Sequence, residues 1–400
     1  MTSHSAPETA PTASDAAINA DEAAAGIYIH LPFCRTKCPY CAFSSQLFEE
    51  QPAADYLAAV RQEVALLAAH PWVQNRAFAT LYLGGGTPTI YGGPELAALI
   101  ALCRRSFRLP ADAEITVEAN PNTISIDKLR QLRTAGCRRL SIGVQSFADS
   151  VLQRIGRSHS AAEAESAVTV ARKAGFTDIN LDLIYGLPGQ TLPIWQETLA
   201  RALACAPQHL SLYELTVEKG TPFAHSAGQG FLTLPDDETI AAMAALALAQ
   251  LSAQGLARYE IANFARPGHE CRHNRNYWRN GSYLGLGAGA VSCLSGVRLR
   301  NVREPKTYIR LLAAGRLPYA EAEILMRAPR FRESVVIGLR QTAGVSLTEL
   351  EQRFGLDARR YYGPVLKNLQ RDGLVEIVDH RLRLTSTGLP VANQALAELV

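Results

Sequence analysis

Six short β-type runs separated by helical runs constrain this chain more than any other feature. The strand expectations are Ile27–Leu31, Thr80–Leu83, Glu114–Glu118, Arg139–Val144, Asp178–Ile184 and His209–Leu215, each rich in Ile, Val, Leu, Tyr or Thr and bounded by turn signals. The intervening runs Asp55–His70, Pro94–Ser106, Ile126–Ala135, Ala161–Ala174, Ile194–Ala204 and Asp236–Gln254 repeat apolar residues every three or four positions, which predicts helices. Such alternation dictates βα units and a parallel sheet with helices outside. Six units fall short of the eight of a closed barrel, so an α/β fold with a partial (β/α)6 barrel is expected, with its working face at the C-terminal ends of the strands. Hydrophobic residues are 48% of the chain and charged residues 19%, enough for a core and unlike a disordered chain.

The rhythm changes after Gly255. Arg258–Phe264 and Val297–Val302 read as further strands around a Gly-rich stretch. Near the end, Phe331–Arg340, Ser346–Phe354 and Ala358–Asp372 read as three helices, and Leu374–Val378 and Arg381–Leu384 as a hairpin turned at Asp379-His380. Three helices and a two-stranded wing predict a mainly helical winged-helix-like domain. DNA binding is one reading of such a module. Packing or a lid is the other, and Glu349, Glu351, Asp357 and Asp372 interrupt its basic residues. The expected units are a disordered tail over 1–25, a barrel over 26–255, an extension over 256–325 and the terminal domain over 326–400. The net charge of +3 gives no sign of a general nucleic-acid binder. No Lys or Arg precedes Arg35, so no secretory or organellar signal is read. The longest apolar run, Ile240 to Ala249, is about half the ~20 residues of a membrane span. A cytoplasmic protein is expected, with transient contact at a membrane surface left open.

Cys34-Arg-Thr-Lys-Cys38-Pro-Tyr-Cys41 follows the first strand directly. Three thiolates so close can point into one small loop. Zinc usually takes four ligands, often as two CxxC pairs, and no second pair is present. A 4Fe–4S cluster also prefers four thiolates, so three would leave one iron open to a small molecule. Gly84-Gly85-Gly86 follows the second strand, where glycines let a ligand approach the backbone and its exposed N–H and C=O groups. Glu118 ends the third strand, Gln145 ends the fourth, and Asp182 sits in the fifth. Each alone is an ordinary polar residue; together they occupy successive strand ends.

CxxxCxxC after a first strand resembles the signature of the radical S-adenosylmethionine (SAM) superfamily. Ile27-Tyr-Ile-His-Leu-Pro-Phe-Cys34, Gly84-Gly-Gly-Thr-Pro-Thr89, Ser141-Ile-Gly-Val-Gln-Ser-Phe147 and Asp182-Leu-Ile-Tyr-Gly-Leu-Pro188 resemble the oxygen-independent coproporphyrinogen III oxidase group over about residues 26–390. The resemblance implies a partial barrel of radical SAM type, a 4Fe–4S cluster on Cys34, Cys38 and Cys41, and bound SAM. It also implies a SAM pocket lined by Tyr28, Tyr40, Gly85, Gly86, Thr87, Glu118, Gln145, Arg157, Asp182 and Thr216. The bland reading of Arg157 is an exposed surface arginine.

That group has two branches. The oxidase branch carries one more cysteine two residues after the third, and here that position is Phe43. The chain is similar instead to the HemW-type haem chaperones, which implies haem as ligand and delivery to apoproteins such as respiratory enzymes. His273-Asn-Arg-Asn-Tyr-Trp278 resembles the HNxxYW motif that this branch associates with haem. An imidazole can ligate haem iron, and Tyr277 and Trp278 offer flat surface; the bland reading is a packing corner. Cys271 and Cys293 flank the motif as thiolate or merely structural thiols. Gly285-Leu-Gly-Ala-Gly289 sits too late in the chain for a dinucleotide loop, and Val291 stands where many relatives have His. The alternative is the oxidase itself, which removes propionate carboxyls of coproporphyrinogen III by a radical route.

Overall fold

The computed structural model describes residues 24–400. The tail expected over 1–25 therefore lies outside the described residues, save its last two. Ala25 already opens the first strand.

One mixed sheet organises residues 25–324. Its strands are β1 Ala25–Leu31, β2 Phe78–Gly85, β3 Glu114–Ala119, β4 Arg139–Gln145, β5 Asp178–Tyr185, β6 His209–Glu214, β7 Ala257–Arg258, β8 Asn263–Ala265, β9 Tyr283–Leu286, β10 Val291–Leu294, β11 Val297–Asn301 and β12 Tyr319–Ile324. Their order across the sheet is β12-β11-β10-β9-β1-β2-β3-β4-β5-β6-β8-β7. The first six run parallel, as the βα alternation requires. Strand β9, hidden in the Gly-rich stretch, adds a seventh parallel strand beside β1. The single strand expected over Arg258–Phe264 is two short ones, β7 and β8, folded back antiparallel.

Alternation within the strands shapes the site. Ile27, Ile29, Leu81, Leu83, Ile142, Leu181 and Leu183 are fully buried in the core shared with the helices. The intervening positions, Tyr28, Tyr82, Glu118, Ser141 and Asp182, lie on the concave side. A closed barrel fills that space with branched apolar side chains. Here it is polar, so it is a lined cleft and not a core.

Helix boundaries follow local chemistry. The helix expected from Asp55 begins at Glu50, because Pro52 is tolerated in a first turn. It ends at Ala68, since residue 70 precedes Pro71 and is pushed out of helical geometry. Ser125 accepts from the Lys128 N–H at the start of Ile126–Ala135, and Gly136 at φ 104° ends that helix.

The terminal domain has its own core of Phe331, Val335, Leu350, Leu366 and Leu382 among others. Its third expected helix is two, Ala358–Tyr362 and Pro364–Arg371. Pro364 lacks the N–H that would continue the first, and Gly363 turns the chain at φ 47°. The wing turns at Asp379 and His380, both at positive φ as a two-residue hairpin demands. Val345–Ser346 makes it a three-stranded sheet.

Candidate functional site

The three cysteines sit in a loop whose ends are tied together. Phe33–Cys34 pairs with Gln46–Leu47, and the Thr87 N–H reaches the Phe33 carbonyl at 2.8 Å. Cys38 is buried, while Cys34 and Cys41 are half-buried. Burial pushes the Cys34 and Cys41 thiols up. Side chains reach toward the sulfurs: Thr87 Oγ1 lies 3.6 Å from Cys34 Sγ, Arg157 Nη1 lies 3.7 Å from Cys38 Sγ, and Tyr40 also hydrogen-bonds Cys38. Arg157 also donates to the Gly143 carbonyl at 2.6 Å, which fastens the loop to β4. Its buried Nε has no acceptor among the described residues. Tyr40 closes the other flank, packing against Phe223, whose N–H donates to the Pro39 carbonyl.

The glycine segment passes tightly over the root of this loop. Gly85 has φ 117°, and a side chain there would meet His30 Nδ1 at 2.6 Å. A side chain on Gly86 would meet the Phe33 carbonyl oxygen at 2.6 Å. Only glycine lets the strand end lie this close to the cysteine loop.

Glu118 accepts from Tyr82 Oη at 2.9 Å and from the Gly85 N–H at 3.1 Å. Burial, with Asp182 adding like charge, pushes its carboxyl up to about 7. Asp182 accepts from Ser141 Oγ and Asn180 Nδ2, both at 2.9 Å, and burial raises it as well. Two carboxyls held in a polar cleft beside glycine amides and a thiol loop are suited to a cationic, hydroxyl-bearing ligand. Gln145 bends β4 at φ 68°, within a register shift that turns it at the strand end. Tyr28 stacks on Tyr82 with ring centres 6.2 Å apart and hydrogen-bonds His30 Nδ1 at 3.1 Å. The structure thus gathers Tyr28, Tyr40, Gly85, Gly86, Thr87, Glu118, Gln145, Arg157 and Asp182 around the cysteine loop. Thr216 lies exposed in the segment after β6. The polar partners Tyr82, Ser141 and Asn180, which hold the two carboxyls, are absent from the sequence expectations. Their signal is the inward half of the strand alternation.

The chemistry of this donor set fits a cubane cluster with SAM, although among the described residues no three His, Cys, Asp or Glu side chains close on a single metal ion. The donors are three thiols in one pinned loop, with an orphaned guanidinium N–H beside them and glycine backbone at the rim. Cys34, Cys38 and Cys41 would hold the cluster, and Glu118, Gln145 and the Gly85–Thr87 backbone would hold the nucleoside and amino-acid parts.

The HNxxYW segment lies elsewhere. It forms a helix, Arg272–Trp278, across the floor of the cleft at the N-terminal ends of the strands. Glu114 at the start of β3 accepts the N–H groups of Arg272 and His273, each at 2.9 Å. His273 is 2% exposed. Its Nδ1 meets Thr80 Oγ1 at 2.8 Å and its Nε2 meets Tyr277 Oη at 3.2 Å, while its ring stacks on Tyr82. Burial drives its pKa down to about 3. Both ring nitrogens are thus engaged with hydroxyl groups in this conformation. Tyr277 is likewise turned inward against His273 and Tyr283. Trp278 faces the terminal domain, with Arg340 over its ring at 5.3 Å. Cys271 is buried against Glu114.

The Gly285–Gly289 stretch is a receptor for a side chain of its own chain. Buried Glu63 accepts from the Gly287 N–H at 2.8 Å and from Asn301 Nδ2 at 2.7 Å.

A half-barrel of parallel strands with a three-cysteine loop after the first and a glycine turn after the second defines a radical SAM protein, and residues 28–202 match the Radical SAM superfamily. Residues 327–391 match the HemN C-terminal domain. Within that superfamily the chain belongs to the HemW family. It is 38% identical to the heme chaperone HemW of Bacillus subtilis (strain 168) over 368 residues, covering 92% of this chain and 97% of that one. It is 39% identical to the heme chaperone HemW of Mycobacterium tuberculosis (strain ATCC 25618 / H37Rv), with 94% of each chain covered. Among solved structures it is similar to the coproporphyrinogen III oxidase HemN of Escherichia coli, described as a radical SAM enzyme. The TM-score is 0.82 at 28% identity, over 94% of this chain and 90% of that one. Among the described residues no helix is long and apolar enough to cross a membrane.

Proposed function

We propose that the chain is a haem chaperone that binds haem and transfers it to apoproteins, and that it carries a 4Fe–4S cluster with SAM at the open end of the barrel. The full-length identity to chains named as haem chaperones carries this reading. Phe43 supports it: the residue that replaces the oxidase branch's extra cysteine is 69% exposed and offers no ligand atom. Bound there, the cluster with SAM supplies one-electron chemistry. The chain's own residues bind and orient the nucleoside through Glu118 and Gln145, and hold the cysteine loop through Thr87 and Arg157. Respiratory haem enzymes are the class of acceptor this reading favours.

The test is anaerobic. Cluster-reconstituted protein is incubated with haem, and separately with coproporphyrinogen III, SAM and a reductant. Haem uptake, passage to an apo-haemoprotein and no loss of carboxyl groups are expected. Decarboxylation without haem uptake would overturn the proposal in favour of the oxidase reading.

A further inference from the structure

A cavity of about 1150 Å³ lies between the barrel floor and the terminal domain, on the opposite side of the sheet ends from the cysteine loop. Its wall carries six arginines against one carboxylate, Glu349. Three of the six hydrogen-bond backbone carbonyls. Arg353 donates to the Arg279 and Asn280 carbonyls, Arg381 to the Ala343 and Gly344 carbonyls, and Arg272 to the Asp112 carbonyl. The other three, Arg275, Arg279 and Arg330, form no ion pair with an acid among the described residues. Concentrated cations in a concave, low-dielectric wall attract anions strongly.

The helix Arg272–Trp278 shows how the cavity relates to the haem motif. His273 and Tyr277, four residues apart, face the barrel. Arg275, Asn276, Trp278 and the following Arg279 line the cavity. Trp278 and Phe354 add aromatic wall, with Arg340 over the Trp278 ring and Arg330 and Arg353 over that of Phe354, and the buried indole N–H of Trp278 meets no acceptor among the described residues.

We propose that this cavity, and not the His273 ring, is the seat of the porphyrin, with Arg275, Arg279 and Arg330 gripping its carboxylates; this rests on the haem-chaperone reading. A planar apolar body with two carboxylates at one edge matches a wall of aromatic rings beside unpaired arginine forks, which bind carboxylates in a fixed, often bidentate geometry. A nucleic-acid duplex fits less well. Groove reading needs a convex element presented outward, whereas these arginines line a recess between two domains.

The test compares haem with its dimethyl ester, which keeps the macrocycle and iron but loses both charges. Full-length, cluster-reconstituted protein is titrated with each, following the haem absorption band and the release rate. A charge-assisted hydrogen bond is worth ~1.5–3 kcal/mol, so free haem should bind roughly ten- to a hundredfold tighter than the ester. The Arg275→Gln/Arg279→Gln double variant and Arg330→Gln should lose that preference while keeping the iron–sulfur spectrum. Arg105→Gln, on an exposed helix face, should keep it. Equal affinity of the wild type for acid and ester would overturn the proposal without needing any variant. Retained preference in the arginine variants would place the carboxylates elsewhere and leave the haem reading standing. Tighter binding of a short DNA duplex than of haem, lost in the same variants, would reassign the cavity to nucleic acid. Failure of the wild type to bind haem at all would sink the chaperone reading and this proposal with it.

Discussion

Glu63 permits a stability prediction that depends on no ligand. Its carboxylate is fully buried, yet it receives three donors: the Gly287 N–H at 2.8 Å, Asn301 Nδ2 at 2.7 Å and Tyr308 Oη at 2.5 Å. Loss of water outweighs these bonds and pushes the carboxyl from 4.5 up to about 7. The folded protein therefore keeps this proton over a pH range in which the unfolded chain has released it. Stability from the group is fully present below about pH 4.5 and is lost as pH rises through about 7. That gap, at about 1.4 kcal/mol per pH unit, corresponds to about 3 kcal/mol. For a domain of this size, roughly 2–4 °C per kcal/mol gives a fall of about 6–12 °C in the barrel's unfolding temperature.

Glu63→Gln isolates the effect. The amide keeps the size and cannot ionise, but its NH2 faces the Asn301 donor, which costs about 1 kcal/mol. The variant should therefore be slightly less stable than wild type at pH 5 and more stable at pH 8. Calorimetric melts at half-unit steps across that range give the difference curve directly. Glu118, also raised, titrates in both proteins and cancels in the difference. Parallel curves for the two proteins would refute the reasoning, because Glu63 would then be ionised throughout.

Three further outcomes are expected. Cys34→Ser, Cys38→Ser or Cys41→Ser should each abolish an oxygen-sensitive cluster absorbance that Cys103→Ser, on the buried face of the helix Gly93–Ser106, leaves intact; a Cys34→Ser protein with full iron and an unchanged spectrum would remove the loop as cluster holder. Glu118→Ala should weaken SAM binding by roughly ten- to a hundredfold with the cluster retained, as calorimetry can show; unchanged affinity takes Glu118 out of the pocket. His273→Ala should lower the unfolding temperature, since it strips the Thr80 and Tyr277 bonds and leaves a void at the floor, yet leave the position of the haem absorption band where it is; a shifted band would restore His273 as an iron ligand.

What the sequence makes legible is what is local in the chain. The six parallel strands announce themselves because their outer residues, such as Ile27, Ile29, Leu181 and Leu183, must pack under helices. The cysteine loop is legible because its three donors fall within one turn-rich segment. The partners of Glu118 and Asp182 are harder to find: Asn180 shares a strand face with Asp182, but Tyr82 and Ser141 come from other strands, and only register brings them to the carboxyls. Glu63 is harder still. Its receptor is a glycine turn more than two hundred residues later, and nothing in the glycine spacing points back to Glu63. The floor of the cleft shows most clearly where local reading stops. As a linear motif, His273 through Trp278 is one patch of polar and aromatic residues. As a helix it divides, because residues four apart share a face: His273 with Tyr277, and Arg275 with Arg279. Which face meets the barrel is decided by Glu114, which accepts the helix's first N–H groups from a strand far earlier in the chain, and by Arg353, which clamps the helix's end from the terminal domain. With both contacts in place the imidazole faces inward and the two arginines face the cavity. The residue chemically best suited to bind iron therefore braces the floor, and the charged positions that the motif leaves unspecified are the ones with room for a ligand.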